Sequence, residues 1–378
     1  MKKEPNVAFL LDSAPRTWSS LEEPHLRLCQ ALVARGSRPV LVFASKLPPE
    51  IHSRFARAGI TVAIINYQDG LANYHAELGK LIELNHIERL HIIYFDYFRA
   101  VAWLARFQGV KSIVYEMGNG GVFKARSWKR KLIHARNRIM TAPLDRVIAV
   151  SDYIKGLLID GGIPSEKIVV RRLGVDTERF QPDATARARL AKEFSIAPDE
   201  VILSTVSYLR PIKNPEIIVE ACALLVQRGV KARLFVGGDG EMLEQLKQLS
   251  RDLRIADKVH WLGLVEDPLS LLQASDLFLL ATVGEAFGLV LAEAMACGVP
   301  VVGSRAGAIP EVVEDGQTGL LVTPRSAEAM ADAIATLARD NDKRKRMSEN
   351  AVARVRKHFT LADSVAGTLK IYDALPNK

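Results

Sequence analysis

Cysteine is scarce in this sequence. The 378 residues hold three, Cys29, Cys222 and Cys297, with no Cys-x-x-Cys pair, and each sits inside an apolar helical pattern. A disulfide framework or a zinc site needs closer or paired spacing, so buried free thiols in a reducing compartment are expected. Long hydrophobic runs are also missing. The run Val7-Ala-Phe-Leu-Leu is cut short by Asp12, and nothing later approaches the roughly 18 uninterrupted apolar residues of a membrane span. Neither a signal peptide nor a transmembrane helix is expected, and the cytoplasm is the expected location. No group of His, Cys, Asp and Glu has metal-ligand spacing. The one Asp-x-Asp string, Asp340-Asn-Asp342, stands between helical patterns amid Arg339, Lys343, Arg344 and Lys345, which predicts a helix cap rather than a cation site. Internal repeats of short period and low-complexity tracts are absent too.

What is present is core material. About half the residues are apolar and a quarter charged, the ordinary soluble globular range, and the length exceeds what one core organises, so two domains are expected. Charge is unevenly placed. Residues 1–185 carry 27 Lys and Arg against 18 Asp and Glu, and the remainder 24 against 25. The whole excess of +8 therefore lies in the first half, which points to an anionic partner there.

Short apolar runs alternate with helical patterns along nearly the whole chain, as in parallel sheets built of βαβ units. Strands are predicted over Val7–Leu11, Pro39–Phe43, Thr61–Ile65, Leu90–Phe95, Ser112–Tyr115, Arg146–Val150 and Lys167–Arg171. The pattern loosens between Asp176 and Asp199, read as a linker. It resumes at Val201–Val206, Ala232–Val236, Val259–Leu262, Leu277–Leu280, Val299–Val302 and Gly319–Val322, and helices Ala327–Arg339, Lys343–His358 and Ala362–Leu375 close the chain. The expected fold class is α/β, two doubly wound Rossmann-like domains facing across a cleft. The expected domains are residues 1–180 and 181–358, with residues 359–378 as a C-terminal helix crossing back to the first domain.

The chemistry concentrates in residues 283–298, Val-Gly-Glu-Ala-Phe-Gly-Leu-Val-Leu-Ala-Glu-Ala-Met-Ala-Cys-Gly: a strand exit, a glycine turn and a helix starting near Gly288. The amides of Gly288, Leu289 and Val290 belong to the unpaired N–H groups of a helix N-terminus and, with the helix dipole, suit a phosphate. Glu293, about a turn and a half into an otherwise apolar helix, is explained if it accepts hydrogen bonds from a ribose cis-diol.

This segment resembles the Glu-x7-Glu motif of the retaining GT-B glycosyltransferases of family four. The resemblance extends through Cys297-Gly-Val-Pro-Val-Val-Gly-Ser, Gly307-Ala-Ile-Pro-Glu-Val-Val and Asp315-Gly-Gln-Thr-Gly-Leu-Leu-Val. Upstream it takes in Ser151-Asp-Tyr-Ile-Lys, Gly174-Val-Asp-Thr-Glu-Arg-Phe, the turn Phe235-Val-Gly-Gly-Asp-Gly, which holds Gly238, and Trp261-Leu-Gly, so that it covers most of residues 146–358. It implies a nucleotide-sugar donor held by the second domain, with Glu293 similar to the family's ribose-binding acid, Glu285, Ala286, Phe287 and Gly288 facing the sugar and distal phosphate, and Gly238 in the donor site. It also implies transfer with retention, no protein nucleophile, no metal and no other cofactor, and a glycan or lipid-linked acceptor in cell-surface polysaccharide or glycolipid synthesis. Lys213, in Leu209-Arg-Pro-Ile-Lys-Asn, is the matching cation. Where a typical member has an arginine this chain has Tyr208, and Arg210 is the substitute cation. The loop Glu116-Met-Gly-Asn-Gly-Gly replaces a family histidine, with Asn119 or Glu116 as sugar contacts. Arg16 and Trp18 mark an acceptor edge after the first strand. Rivals on the same fold are a nucleotide-sugar epimerase, a phosphorylase and a non-catalytic sugar-nucleotide-binding subunit.

Residues 122–138 hold seven cations, interleaved with Phe123, Trp128, Leu132 and Ile133, and no acid occurs between Glu116 and Asp145. A basic amphipathic helix at an anionic membrane surface and a plain charged surface helix both fit. No nucleic-acid module accompanies the patch, so nucleic acid is not an expected partner.

Overall fold

The computed structural model describes residues 4–11, 14–15, 18, 21–66, 70–93, 100–118 and 130–375. Asn119, Arg16 and residues 122–129 therefore lie outside the described residues. Two compact units emerge, residues 1–172 with 364–378, and residues 173–363.

In the first unit the described strands are β1 (Asn6–Leu11), β2 (Val40–Phe43), β3 (Thr61–Ile64), β4 (Ile87–Ile93), β5 (Ser112–Met117), β6 (Arg146–Ala149) and β7 (Ile168–Val170). They form a parallel sheet in the order β3-β2-β1-β4-β5-β6-β7, with Phe9 opposite Leu41 on one side and His91 on the other. The central strands are buried along their length, which is why they read as continuous apolar runs, whereas edge strand β3 has exposed ends. The helix Glu22–Ala34 buries Leu28, Cys29 and Leu32, spaced to share one face. At the other end of the chain the helix Leu361–Asp373 contributes Leu369, Ile371 and Tyr372 to the core of Val7, Phe9 and Phe55.

The second unit holds β8 (Val201–Val206), β9 (Ala232–Gly237), β10 (Val259–Gly263), β11 (Leu277–Leu280), β12 (Val301–Ser304) and β13 (Gly319–Val322). Their order is β10-β9-β8-β11-β12-β13, again all parallel. Helices Pro215–Gln227 and Ala327–Arg339 pack one face, burying Ile218, Cys222, Leu225, Met330, Ile334 and Leu337.

The stretch read as a linker is instead docked on this second unit. Phe180 is buried. The charged helix Ala186–Glu193 turns Leu190 and Ala191, with Phe194, onto a cluster of Ile196, Ile202, Phe235 and Leu271, while Arg187 pairs with Asp276. Polar composition hid this contact because only one narrow side of the helix is apolar. Residues 173–175 also belong here: Val175 bridges Thr360, and a side chain at Gly174 would strike the Thr360 carbonyl oxygen at 2.2 Å. Asp340 caps the helix Asn341–His358, accepting from the Lys343 amide at 2.8 Å.

Candidate functional site

In the second sheet the chain runs from β8 outward to β9 and β10, then returns to lay β11 on the opposite side of β8. That reversal makes the carboxyl ends of β8 and β11 the topological switch point, where open α/β sheets leave room for ligands. The loops leaving these two strands carry the chemistry-bearing residues.

After β8 the chain passes Tyr208 and Arg210 into a short 3-10 turn, Pro211–Lys213, and then Asn214 in the left-handed conformation at φ 45°. Asn214 is buried and donates from Nδ2 to the Ala281 carbonyl at 3.3 Å. Thr282 returns the tie, its hydroxyl donating to the Ile212 carbonyl at 3.1 Å, and the Val283 amide reaches the same oxygen at 3.2 Å. The two loops are thus stitched backbone to side chain.

This stitching brings Lys213 and Glu285 together, with Nζ donating to Oε2 at 2.6 Å between side chains that are about a quarter and a sixth exposed. Glu285 is fixed from behind as well. The Ala308 amide donates to its carbonyl at 2.9 Å, and Gly307, at φ 57°, lies so close that a Cβ there would stand 2.4 Å from that carbonyl oxygen.

Past Glu285, Ala286 and Phe287 turn inward and are buried, the Phe287 ring meeting Phe359 edge-on at 5.6 Å. Gly288 takes φ 92° and ψ 51° and opens the helix Leu289–Ala296, a backbone state closed to most side chains. The first-turn amides of Leu289 and Val290 have no acceptor within the helix. Glu293 is buried, 4% exposed, among Leu291, Ala292, Ala294 and Met295. An exposed acid on an amphipathic helix is therefore not what this residue is. Burial, with Glu293 beside it, pushes the Cys297 thiol up to about 12.

Gly238 sits at the end of β9, adjoining the same loop: a Cβ there would lie 1.9 Å from the Ser207 carbonyl oxygen. The Leu209 amide donates to the Asp239 carbonyl at 3.0 Å. Arg210 is exposed, and its guanidinium lies over the Tyr208 ring, 5.5 Å from the centroid. The Arg210 amide donates to the Tyr208 carbonyl at 2.9 Å, so a tight turn about Leu209, and not the strand alternation expected from the sequence, brings the two side chains together. Among the described residues, the exposed large hydrophobic side chains of this unit are Tyr208, Ile212 and Leu264, all beyond the carboxyl ends of β8 and β10.

In the first unit Glu116 is not placed as a sugar contact. It is buried at the end of β5, paired with Arg171 and 3.5 Å from His91 Nε2. His91 Nδ1 in turn lies 2.6 Å from the Tyr372 hydroxyl. Arg171 and His91 hold the Glu116 carboxyl well below the usual range against the opposing effect of burial. Trp18 is half-buried, packing on Phe55 at 5.3 Å and donating to Glu23 at 3.2 Å. Sequence reading passed over Asn214, Thr282 and Gly307. The signals were Asn-Pro ahead of a helix and a glycine preceding Ala-Ile-Pro, both common enough to carry little weight alone.

Residues 186–354 match the sequence family described as "Glycosyl transferases group 1", and residues 26–179 match "Glycosyltransferase Family 4". The chain is 39% identical over 193 residues to N-acetyl-alpha-D-glucosaminyl L-malate synthase of Bacillus anthracis, covering 51% of this chain and 50% of that one. It is 35% identical over 208 residues to a GDP-mannose-dependent alpha-(1-6)-phosphatidylinositol monomannoside mannosyltransferase of Mycobacterium tuberculosis, covering 53% and 54%. The chain spans about half the length of the curated relatives it matches. Among solved structures, a glycosyltransferase from Rickettsia africae superposes with a TM-score of 0.84 at 20% identity, covering 98% of both chains. Anabaena HepE in complex with UDP and glucose gives 0.83 at 20%, covering 98% and 100%. The two family matches, together spanning most of the sequence, and the shared architecture of two parallel sheets give one conclusion: the chain belongs to glycosyltransferase family four and has the GT-B fold.

Proposed function

We propose that this chain transfers a sugar from a nucleoside-diphosphate donor to a glycan or lipid-linked acceptor, with retention at the anomeric carbon and without a metal ion. The reading is carried by the Lys213–Glu285 pair, set at the sheet's switch point before the Gly288 helix start. It is supported by the relatives whose names specify GDP-mannose and by the related structures holding UDP or UDP-glucose.

Each residue has a physical task. Glu293 accepts hydrogen bonds from the ribose hydroxyls. Its burial suits this, since a carboxylate shielded from water binds a diol more strongly than an exposed one. The amides of Gly288, Leu289 and Val290 meet the distal phosphate, and Gly238 allows the chain after β9 to lie close to the donor. Glu285 and the main chain of Ala286 and Phe287 address the sugar.

The acceptor oxygen forms its bond to the anomeric carbon on the face from which the diphosphate departs. The bond from that carbon to the phosphate oxygen breaks with its electron pair going to the diphosphate, which takes the acceptor's proton. Negative charge grows on the leaving group, and fixed cations lower that barrier. Lys213 supplies one. Without donor Glu285 balances its charge, and an arriving phosphate offers a second anionic partner at little rearrangement. Arg210, steadied over Tyr208, supplies the other from the rim. Charge compensation by Lys213, Arg210 and helix amides is what makes a divalent ion dispensable here, and the Asp340-Asn-Asp342 string is engaged in helix capping.

A second reading, a sugar-nucleotide-binding subunit without turnover, is favoured by the engagement of Arg210 with the Tyr208 ring. One experiment separates them. A thermal-shift panel of UDP-, GDP- and ADP-sugars identifies the donor, because a ligand bound by the native state raises the melting temperature. Glu293→Gln should weaken that donor by about 10- to 100-fold. Slow release of free nucleoside diphosphate then reports turnover. Unchanged donor affinity in Glu293→Gln refutes the site, and binding without release from any donor leaves the subunit reading.

A further inference from the structure

We propose that the helix Arg130–Met140 of the first unit seats on an anionic lipid surface, with Leu132, Ala135 and Ile139 facing the lipid and Lys131, Arg136 and Arg138 around them. Nothing in the donor chemistry calls for this helix, and the inference stands independently of that reading.

The orientation of the helix is fixed by its inner face. Asn137 is fully buried and donates from Nδ2 to the Gly161 carbonyl at 2.7 Å. His134 Nε2 lies 2.9 Å from the Asp160 carbonyl oxygen, and Thr141 closes the turn beyond by donating to the Asn137 carbonyl at 2.7 Å. With residues 134, 137 and 141 held inward, positions 132, 135 and 139 must point out, since three- and four-residue steps stay on one side of a helix. Leu132 is 70% exposed and Ile139 62%. Both sit in the middle of the solvent face, where a plain charged surface helix would carry its polar residues.

The apolar stripe continues onto a neighbouring helix. Trp103, on the helix Val101–Phe107, donates from Nε1 to the Ile139 carbonyl at 3.1 Å, and its ring lies 6.4 Å from that of Phe107, which is 82% exposed. An indole at the edge of an apolar strip suits the lipid headgroup level.

Charge selects the occupant. Lys131, Arg136 and Arg138 are exposed at the margins of the stripe. No acid occurs in the sequence between Glu116 and Asp145, and Asp145 is paired with Arg106. A cationic rim around an apolar centre matches anionic headgroups over acyl chains. It also agrees with the whole positive excess of the chain lying in its first half.

The test sediments the full chain with vesicles of phosphatidylcholine alone and of phosphatidylcholine with phosphatidylglycerol. Binding to the anionic vesicles, weakened by added salt, is expected. The variant Lys131→Gln/Arg136→Gln/Arg138→Gln should lose roughly fivefold per cation, on the order of 100-fold in all. Leu132→Asn/Ile139→Asn should lose roughly tenfold or more while keeping every cation. Exposed positions leave the fold intact, so unchanged circular dichroism and melting temperature qualify both variants. The proposal is overturned if the wild-type chain does not favour anionic vesicles, or if either folded variant binds them as the wild type does. It is equally overturned if the apolar variant abolishes a dimer in sedimentation equilibrium and wild-type vesicle binding is absent, which would assign the stripe to a second copy.

Discussion

Gly307→Ala is the sharpest probe of how the candidate site is held, because the damage is calculable and a matched control exists. At Gly307 the backbone has φ 57°, and an added Cβ would meet the Glu285 carbonyl oxygen at 2.4 Å and its amide nitrogen at 2.7 Å. Ordinary contact lies near 3.5 Å, so one loop must retreat by about 1 Å. The movement falls on the residue that pairs with Lys213 and accepts the Ala308 amide. At Gly316, φ is 78° and a Cβ would have nothing within 4 Å. Gly316→Ala therefore measures the left-handed penalty alone, about 1 kcal/mol, while Gly307→Ala adds overpacking of about 1–3 kcal/mol. At about 2–4 °C per kcal/mol for a unit of this size, the control should melt a few degrees low and Gly307→Ala about 5–15 °C low. A displacement near 1 Å should also slow nucleoside diphosphate release from the donor by about 100-fold, with the control unaffected. If the two variants melt alike and turn over alike, Gly307 does not buttress Glu285 and the account of the site's rigidity fails.

Lys213→Ala should lower turnover by about 100- to 1000-fold with less than about a tenfold change in donor affinity; the reverse pattern, seen in steady-state kinetics beside calorimetric titration, would make the lysine a binding residue only. Stability should fall with acidity in two stages. Burial lowers the His91 pKa, so the folded protein keeps it neutral while the unfolded chain takes up a proton, and stability is lost as pH falls below about 6.5. The Glu116 pKa is depressed, so its contribution is present above about 4.5 and lost below it. In urea titrations across pH, His91→Gln should make the first stage shallower, leaving the share of His25, whose pKa burial lowers to about 4, and Glu116→Gln should make the second shallower, leaving the share of the other depressed carboxyls such as Glu200 and Asp315; profiles parallel to wild type would refute the assignments. Finally, all three thiols are buried, with Cys222 and Cys297 pushed up to about 12, so a thiol reagent at neutral pH should label none in the native state and all three in denaturant. Fast native labelling of any one would contradict its burial.

The sequence by itself determined the strands of both sheets to within a few residues, because a strand buried on both faces must be an uninterrupted apolar run between turns. It also located the helix at Gly288 and the odd carboxylate of Glu293, since a glycine turn before an apolar helix and an acid within it are local signals. The reading failed where one side of an element decides its fate: the polar stretch 176–199 hides the apolar contacts of Phe180, Leu190, Ala191, Phe194 and Ile196, and the Glu116 carboxylate proved to be buried against Arg171 and His91. Tertiary structure alone decided which residues meet. Lys213 and Glu285 are 72 positions apart, and they touch because strand order sets β8 beside β11. Glu116 on β5 finds Arg171 beyond β7, two strands away, and His91 on β4 finds Tyr372 because the C-terminal helix Leu361–Asp373 packs against that sheet. It also decided which side of the helix Arg130–Met140 faces water, through the inward bonds of Asn137 and His134. Local patterns arise from steric and solvation preferences within a few residues, so they can be read in order; pairing across a sheet depends on topology, which no short stretch of sequence contains.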